Sequence, residues 1–153
     1  MDLVKIIQLK KKQVDQVRAM LALIKWSKRQ IDGQIEGLEK MLCDKMGTVI
    51  FATEHDEIIG YIAAQFYSWN QLGQVHGLVV HPDYRKQGVA SSLLLEVEKF
   101  MHVHHARGIY VDTPVNNLGG CAFYEQRGFK KAYVMPEYYE PGLDGVTFLK
   151  FFR

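Results

Sequence analysis

Leu78-Val79-Val80-His81-Pro82-Asp83-Tyr84-Arg85-Lys86-Gln87-Gly88-Val89-Ala90 is the stretch on which the reading of this 153-residue chain turns. It begins as a β-type run, is halted by a proline and reopens at Gly88 as a helix. Proline brings no N–H to a ladder and restricts the residue before it, so the strand must stop at His81-Pro82. Val89, Leu93, Val97 and Phe100 or Met101 then recur every three or four residues, which predicts a helix from Gly88 to about His105. A strand, a tight turn and a helix make a ready anion site. The first-turn N–H groups lack a partner within the helix, and the positive end of the dipole lies there too. Gly88 and Ala90 are small where an anion would approach most closely, and Arg85 and Lys86 add charge at the rim. Read alone, Gly88 serves equally well as an ordinary helix start.

Outward from this stretch, Leu3 to Leu9 is a short β-type run. Val14, Val17, Leu21 and Ile24 predict an amphipathic helix from Lys11 to about Lys28, and Ile35, Leu38 and Leu42 predict a second over Gln34 to Leu42. Thr48 to Thr53 and Ile58 to Tyr67, joined by His55-Asp56-Glu57, read as an antiparallel hairpin. Gln74 to Val80 is the strand entering the loop, and Gly108 to Asp112 a short buried one after the long helix. A short helix, Leu118 to Gln126, closes at Arg127-Gly128. Phe129 to Met135 and Val146 to Phe152 are the last strands, joined by a loop rich in Pro, Gly and Tyr. The order predicts an α/β fold, an α+β mixed sheet with helices on both faces, in a single domain over 1–153.

Composition narrows the function classes. A net charge of +2 without a basic stripe gives no footing for nucleic acid. No stretch approaches the ~20 apolar residues of a membrane span, and the first residues lack an export signal, so no membrane partner is expected. Two unpaired cysteines, Cys43 and Cys121, form neither a disulfide framework nor a zinc knuckle, which points to a reducing, cytoplasmic setting. His102, His104 and His105 crowd a helix end, but only His102 and His105 share a face and no third ligand is near, so no metal is expected. The loop is neither GxxxxGK[ST] nor GxGxxG with a distal acid, which sets aside nucleoside-triphosphatase and dinucleotide folds.

Residues 78–90 resemble the strand, Pro-containing turn and R-x-x-G-x-G/A motif of the GNAT acetyltransferase family. Asn117-Leu118-Gly119-Gly120-Cys121-Ala122-Phe123-Tyr124-Glu125-Gln126-Arg127-Gly128-Phe129 resembles that family's second signature, N-x-x-A-x-x-F-Y-E-x-x-G-F, at the fitting separation. The likeness is specific from about Val75 to Phe129 and coarse elsewhere. It implies a GNAT-like fold: a central, mostly antiparallel twisted sheet with a βαβ acyl-CoA-binding core. It also implies an N-acetyltransferase that moves an acetyl group from acetyl-CoA, its co-substrate, to a primary amine of a small molecule, by direct attack through a tetrahedral intermediate. A peptide or protein N-terminus, or a lysine, is the alternative acceptor. A non-catalytic acyl-CoA-binding regulatory module is a second alternative, against which Tyr124, Asn117 and the full loop argue.

Carried over residue by residue, the resemblance implies that the main chain of Leu78, Val79 and Val80 meets the pantetheine arm. Arg85, Lys86, Gln87, Gly88, Val89, Ala90 and Ser91 would hold the pyrophosphate. Asn117 matches the asparagine that touches the pantetheine, and reads equally as a helix N-cap. Tyr124 matches the tyrosine that protonates the departing thiolate. For the base that takes the amine's proton, His76 lies where arylalkylamine N-acetyltransferases carry a histidine. Asp112 lies where ribosomal-protein alanine N-acetyltransferases carry a glutamate, and water is the third option. Gly120 departs from the family's usual alanine. Tyr67, Trp69, Tyr138 and Tyr139 are the candidate acceptor contacts, since aromatic residues near acidic ones suit a cationic amine. By family analogy alone, a homodimer is expected.

Overall fold

The computed structural model describes residues 1–153. One seven-stranded sheet runs in the order β1-β2-β3-β4-β5-β7-β6. The strands are β1 (Asp2–Lys5), β2 (Gly47–Glu54), β3 (Glu57–Tyr67), β4 (Leu72–Val80), β5 (Gly108–Pro114), β6 (Lys130–Glu140) and β7 (Leu143–Phe151). The helices are α1 (Lys11–Leu23), α2 (Lys28–Cys43), α3 (Val89–Val103) and α4 (Leu118–Gln126). Every neighbouring pair is antiparallel except β4 with β5, which α3 joins as a parallel crossover. The expected mixed sheet with helices on both faces is the one observed. No helix is long and apolar enough to cross a membrane.

Alternation along the central strands explains why they read as continuous apolar runs. In β2, Val49 and Phe51 enter one core while Ile50 and Ala52 enter the other. Tyr61 and Ile62 of β3 divide in the same way. Val17, Leu21 and Leu38 of α1 and α2 close the first face, and Leu93, Val97 and Met101 of α3 close the second. A strand buried on both faces has no polar side left to show a period of two.

The largest departures from the expected boundaries are at two places. α1 ends at Leu23 rather than Lys28, and α2 begins at Lys28 rather than Gln34. Lys25 turns into the left-handed region at φ 63°, which stops the first helix. Ser27 then starts the second. Its Oγ accepts from the Gln30 N–H at 3.2 Å, and its own N–H donates to Gln30 Oε1 at 2.8 Å, a reciprocal capping box. Ser27→Ala is expected to cost about 1 kcal/mol. In thermal unfolding that is a fall in Tm of roughly 2–4 °C for a chain of this size. An unchanged Tm would show that packing of Ile31, Ile35 and Leu38 alone holds α2.

The second difference is at the last hairpin. The expected Pro/Gly/Tyr-rich loop after Met135 is instead strand, and β6 runs on to Glu140. Residues 136–139 bulge out of the ladder between the pairs Met135–Gly145 and Glu140–Leu143. Side chains fill in for the lost ladder bonds: the Glu137 N–H donates to Asp144 Oδ1 at 2.9 Å, and the Gly142 N–H to Glu137 Oε1 at 3.0 Å. Tyr138 and Tyr139 therefore stand on a braced bulge.

Candidate functional site

The sheet opens beside the turn quoted at the outset. β4 and β5 pair only from Leu72–Gly108 to Val75–Val111. Beyond that point β4 keeps its partner β3 as far as Val80, and β5 keeps its partner β7 as far as Pro114. Each strand stays held on its outer side while the inner sides part, which leaves a wedge. The cause is local. In the β3–β4 ladder Ala63 pairs with Gly77 and Ala64 with Val75, so His76 is an extra residue, a β-bulge that bends the strand. Leu78 and Val80 pack their side chains toward the α3 core and Val79 toward the α1–α2 core. Their main chain on the β5 side has no ladder partner.

The turn Arg85–Gly88 stands at the mouth of this wedge and is exposed throughout. Lys86 (φ 59°) and Gly88 (φ 84°) both adopt the left-handed region. A glycine takes that conformation without the cost a Cβ imposes. No protein acceptor meets the backbone N–H of Lys86, Gln87, Gly88, Val89, Ala90 or Ser91. Six successive free donors at a helix start make a concave anion site. A Cβ built on Gly88 would meet nothing within 4 Å, so the approach is open. Arg85 Nε donates to Val80 O at 3.3 Å, and Gln87 Nε2 to Asp83 O at 3.1 Å, bonds that brace the turn. Arg127, at the end of α4, donates from Nη2 to Ser91 Oγ in the first turn of α3. That adds a third cation to Arg85 and Lys86.

On the other wall, Asn117 caps α4. Its Oδ1 accepts from the Gly120 N–H at 3.1 Å, and its Nδ2 donates to Thr113 Oγ1 at 3.1 Å. The cap reading of Asn117 is realised. It also accounts for Gly120, since a Cβ there would come within 2.4 Å of Asn117 Nδ2. Tyr124 is only 6% exposed, packed against Phe123, Phe129 and Phe148 at ring distances of 5.3, 5.4 and 6.0 Å. Its hydroxyl has no protein partner and is not sealed from solvent. Burial pushes the phenol well above its ordinary range, so it stays protonated. Cys121 on the same helix is half-buried, and burial raises its thiol, as for a packed small side chain.

His76 and Asp112 face the wedge from its two strands. His76 is exposed by area, yet the protein around it withholds enough water to lower its pKa below 6.5, and the Asp112 charge opposes this more weakly. Its Nε2 lies 3.1 Å from the Tyr67 hydroxyl. Asp112 accepts a hydrogen bond from the Thr147 hydroxyl. A small recess beside Asp112 is lined by Tyr133, Met135, Tyr138, Gly145 and Thr147. Burial, and then the nearby Tyr67, Asp112, Tyr133 and Tyr138, push Tyr110 up to about 12. Tyr138 and Tyr139 meet edge to face at 4.9 Å. Of the expected acceptor contacts, Tyr138 lines the recess beside Asp112 with Tyr139 against it, and Tyr67 stands next to them on His76 and Gln74. Trp69 does not join them. It is 84% exposed on the turn before Leu72, at the far end of β4. The histidines at the end of α3 are used locally: His102 stacks on Phe152 at 4.4 Å and His104 Nδ1 lies 2.9 Å from Phe100 O.

Gln74, Tyr110, Tyr133 and Arg127 were not singled out in the sequence. Gln74 shares the face of His76 two residues on, a period-of-two signal that was readable. Tyr110 joins it only through the register Gln74–Tyr110, which no local pattern encodes.

An open sheet split beside a helix start with free amides defines an anion-binding α/β protein. The model of the acetyltransferase (GNAT) family matches residues 17–129, and the chain belongs to that family. It is 33% identical over 100 residues to an N-alpha-acetyltransferase of Saccharolobus solfataricus, covering 58% of this chain and 60% of that protein. It is also 33% identical over 73 residues to a streptothricin acetyltransferase of Escherichia coli, covering 48% and 41%. The chain thus spans no more than about 60% of the length of these two relatives. Its fold matches the crystal structure of an aminoglycoside 6'-N-acetyltransferase complexed with coenzyme A at a TM-score of 0.80 and 18% identity, over 99% and 97% of the two chains.

Proposed function

We propose that this chain transfers an acetyl group from acetyl-CoA to the primary amine of a small, cationic molecule. One observation carries the reading: the wedge between β4 and β5 opens directly onto six unpartnered N–H groups at the start of α3. A pyrophosphate fits donors that have no other acceptor, and the open space at Gly88 admits it. Arg85 to Ser91 hold that group, and the freed main chain of Leu78, Val79 and Val80 suits the amides of a pantetheine arm. Asn117 acts by capping α4, the helix that carries Tyr124. Acetyl-CoA supplies the activated acyl carbon as a thioester.

The chain's own residues then manage two protons. His76, neutral above its lowered pKa, accepts the proton of the attacking amine. Tyr124, held protonated by burial, donates from its free hydroxyl to the departing sulfur. Asp112, braced by Thr147, holds the ammonium of the acceptor among Tyr67, Tyr110, Tyr133 and Tyr138. A peptide α-amine is the second reading. It is favoured by exposed Tyr138 and half-buried Tyr139, paired on the β6 bulge, and by the likeness to an N-alpha-acetyltransferase.

Thiol release from acetyl-CoA across a panel of small amines and short peptides tests the proposal. Turnover on small cationic amines is expected, and faster turnover on peptides would favour the second reading. CoA binding without turnover on any acceptor would leave only a binding module. The base is tested by pH. As pH falls through a value below 6.5, His76 gains a proton and loses its lone pair, so kcat should decline. His76→Ala should lose this inflection and drop roughly three- to tenfold near neutrality, whereas Asp112→Ala should retain it. An unaltered acid limb in His76→Ala would pass the role to Asp112 or water.

A further inference from the structure

Gln74 has no role in the scheme so far, yet three side chains are organised around it. It sits on β4 directly opposite Tyr110 of β5, one pair before the strands part, and two residues before His76. Its Oε1 accepts from the Tyr67 hydroxyl at 3.1 Å and from the Tyr110 hydroxyl at 3.1 Å. The Tyr67 oxygen is also 3.1 Å from His76 Nε2. A phenol has one proton to give, and a carbonyl oxygen can only accept. Because Tyr67 directs its proton to Gln74, its contact with His76 must run the other way, with Nε2–H as donor and the Tyr67 oxygen as acceptor. The ring proton of neutral His76 is then on Nε2 and the lone pair on Nδ1. No protein group is hydrogen-bonded to Nδ1.

We infer that Gln74 is a positioning residue: by orienting the Tyr67 hydroxyl it sets the tautomer of His76 and makes Nδ1 the nitrogen that takes the proton. The inference rests on the reading of His76 as the base. The arrangement also suits turnover. When Nδ1 gains a proton, Nε2 remains a donor and Tyr67 an acceptor, so the network needs no rearrangement between the two protonation states. With Tyr110 as second donor, Gln74 Oε1 has both lone pairs engaged, which keeps the amide from turning. The groups facing the ring are Tyr67 from β3 and Asp112 from β5, and Asp112 is the nearby charge.

Long-range proton–nitrogen NMR of the whole protein labelled at histidine reads the tautomer without any acetyl transfer. His76→Ala identifies the His76 signals among the six histidines. Above the pKa of His76, the wild type should show the Nε2–H form. Gln74→Leu removes the acceptor, frees the Tyr67 proton to turn toward Nε2, and should raise the Nδ1–H form to a detectable share. Gln74→Glu still accepts from both phenols and should restore the wild-type pattern. In kinetics, Gln74→Leu should lower kcat about threefold with the KM for acetyl-CoA unmoved. A wild type in the Nδ1–H form, or a Gln74→Leu protein with an unchanged tautomer, would overturn the inference. A chain inactive on every amine would overturn the proposed function alone, since the NMR result stands apart from turnover. Should Gln74→Leu not fold, Tyr110→Phe, which loosens the amide from one side, gives the same comparison.

Discussion

Tyr124→Phe is expected to lower kcat about 10- to 100-fold while leaving the affinity for acetyl-CoA nearly unchanged. General acids contribute roughly 10²–10⁴ in rate, and a thiolate leaves more readily than most groups, so the effect falls at or below the low end of that range. The substitution keeps the ring, and with it the packing against Phe129 and Phe148 that fixes α4 on the sheet. Only the hydroxyl goes, and that hydroxyl makes no bond within the protein, so no buried partner is orphaned. Stability should therefore hold, and kcat and kcat/KM should fall together, the signature of an interaction made in the transition state. Steady-state kinetics with a thiol-release readout measures this. An undiminished kcat would remove Tyr124 from the chemistry and leave it a core aromatic.

Gly88→Val is expected to weaken CoA binding about tenfold or more. A Cβ at this position meets no neighbour, so the effect comes from backbone conformation and not from a clash. The residue stands at φ 84°, where a β-branched side chain is a true outlier and an ordinary L-residue pays roughly 1–2 kcal/mol. The exposed turn is braced by only two side-chain hydrogen bonds, from Arg85 and Gln87, and should relax out of that region in the free protein. Binding must then restore it, and about 1.4 kcal/mol of restoration appears as a tenfold rise in Kd. Calorimetric titration with CoA measures the rise. Thermal unfolding should fall by no more than roughly 4 °C, because the relaxed turn does not strain the fold. Gly88→Asn, which tolerates the left-handed region, should bind more nearly as the wild type does. A Kd unchanged in Gly88→Val would mean that the amides of this turn do not hold the anion.

Much of this was legible in the chain, and the exceptions have particular causes. The α3 periodicity, the stop at Pro82 and the Asn117–Phe129 signature are local patterns, read within a few turns of one element. The break between α1 and α2 was also local, written in Ser27 and Gln30. The apolar spacing simply ran on past it. The strand character of residues 136–140 was hidden because proline and glycine nearby speak for a loop. β7 and the side chains of Glu137 and Asp144 supply the bonds that make it strand. Trp69 was grouped with the acceptor contacts by its residue type and its place in the loop after Tyr67, and the hairpin turn carries it to the other end of β4.

The sequence by itself determined the family, the mixed sheet and the helix-start turn from Arg85 to Ser91. The family was read from the resemblance of residues 78–90 and 117–129 to its two signatures. The sheet and the turn depend on periodicity, on the missing N–H of proline and on the freedom of glycine, which act over a few residues. The wedge, the assembly of Tyr110, Tyr133 and Tyr138 around Asp112, and the linking of Gln74, Tyr67 and His76 were decided only by the tertiary structure. Strand register and the point where β4 and β5 part depend on which segments pair across the chain. Hydrogen-bond direction in the Gln74 network depends on distances that no local pattern contains.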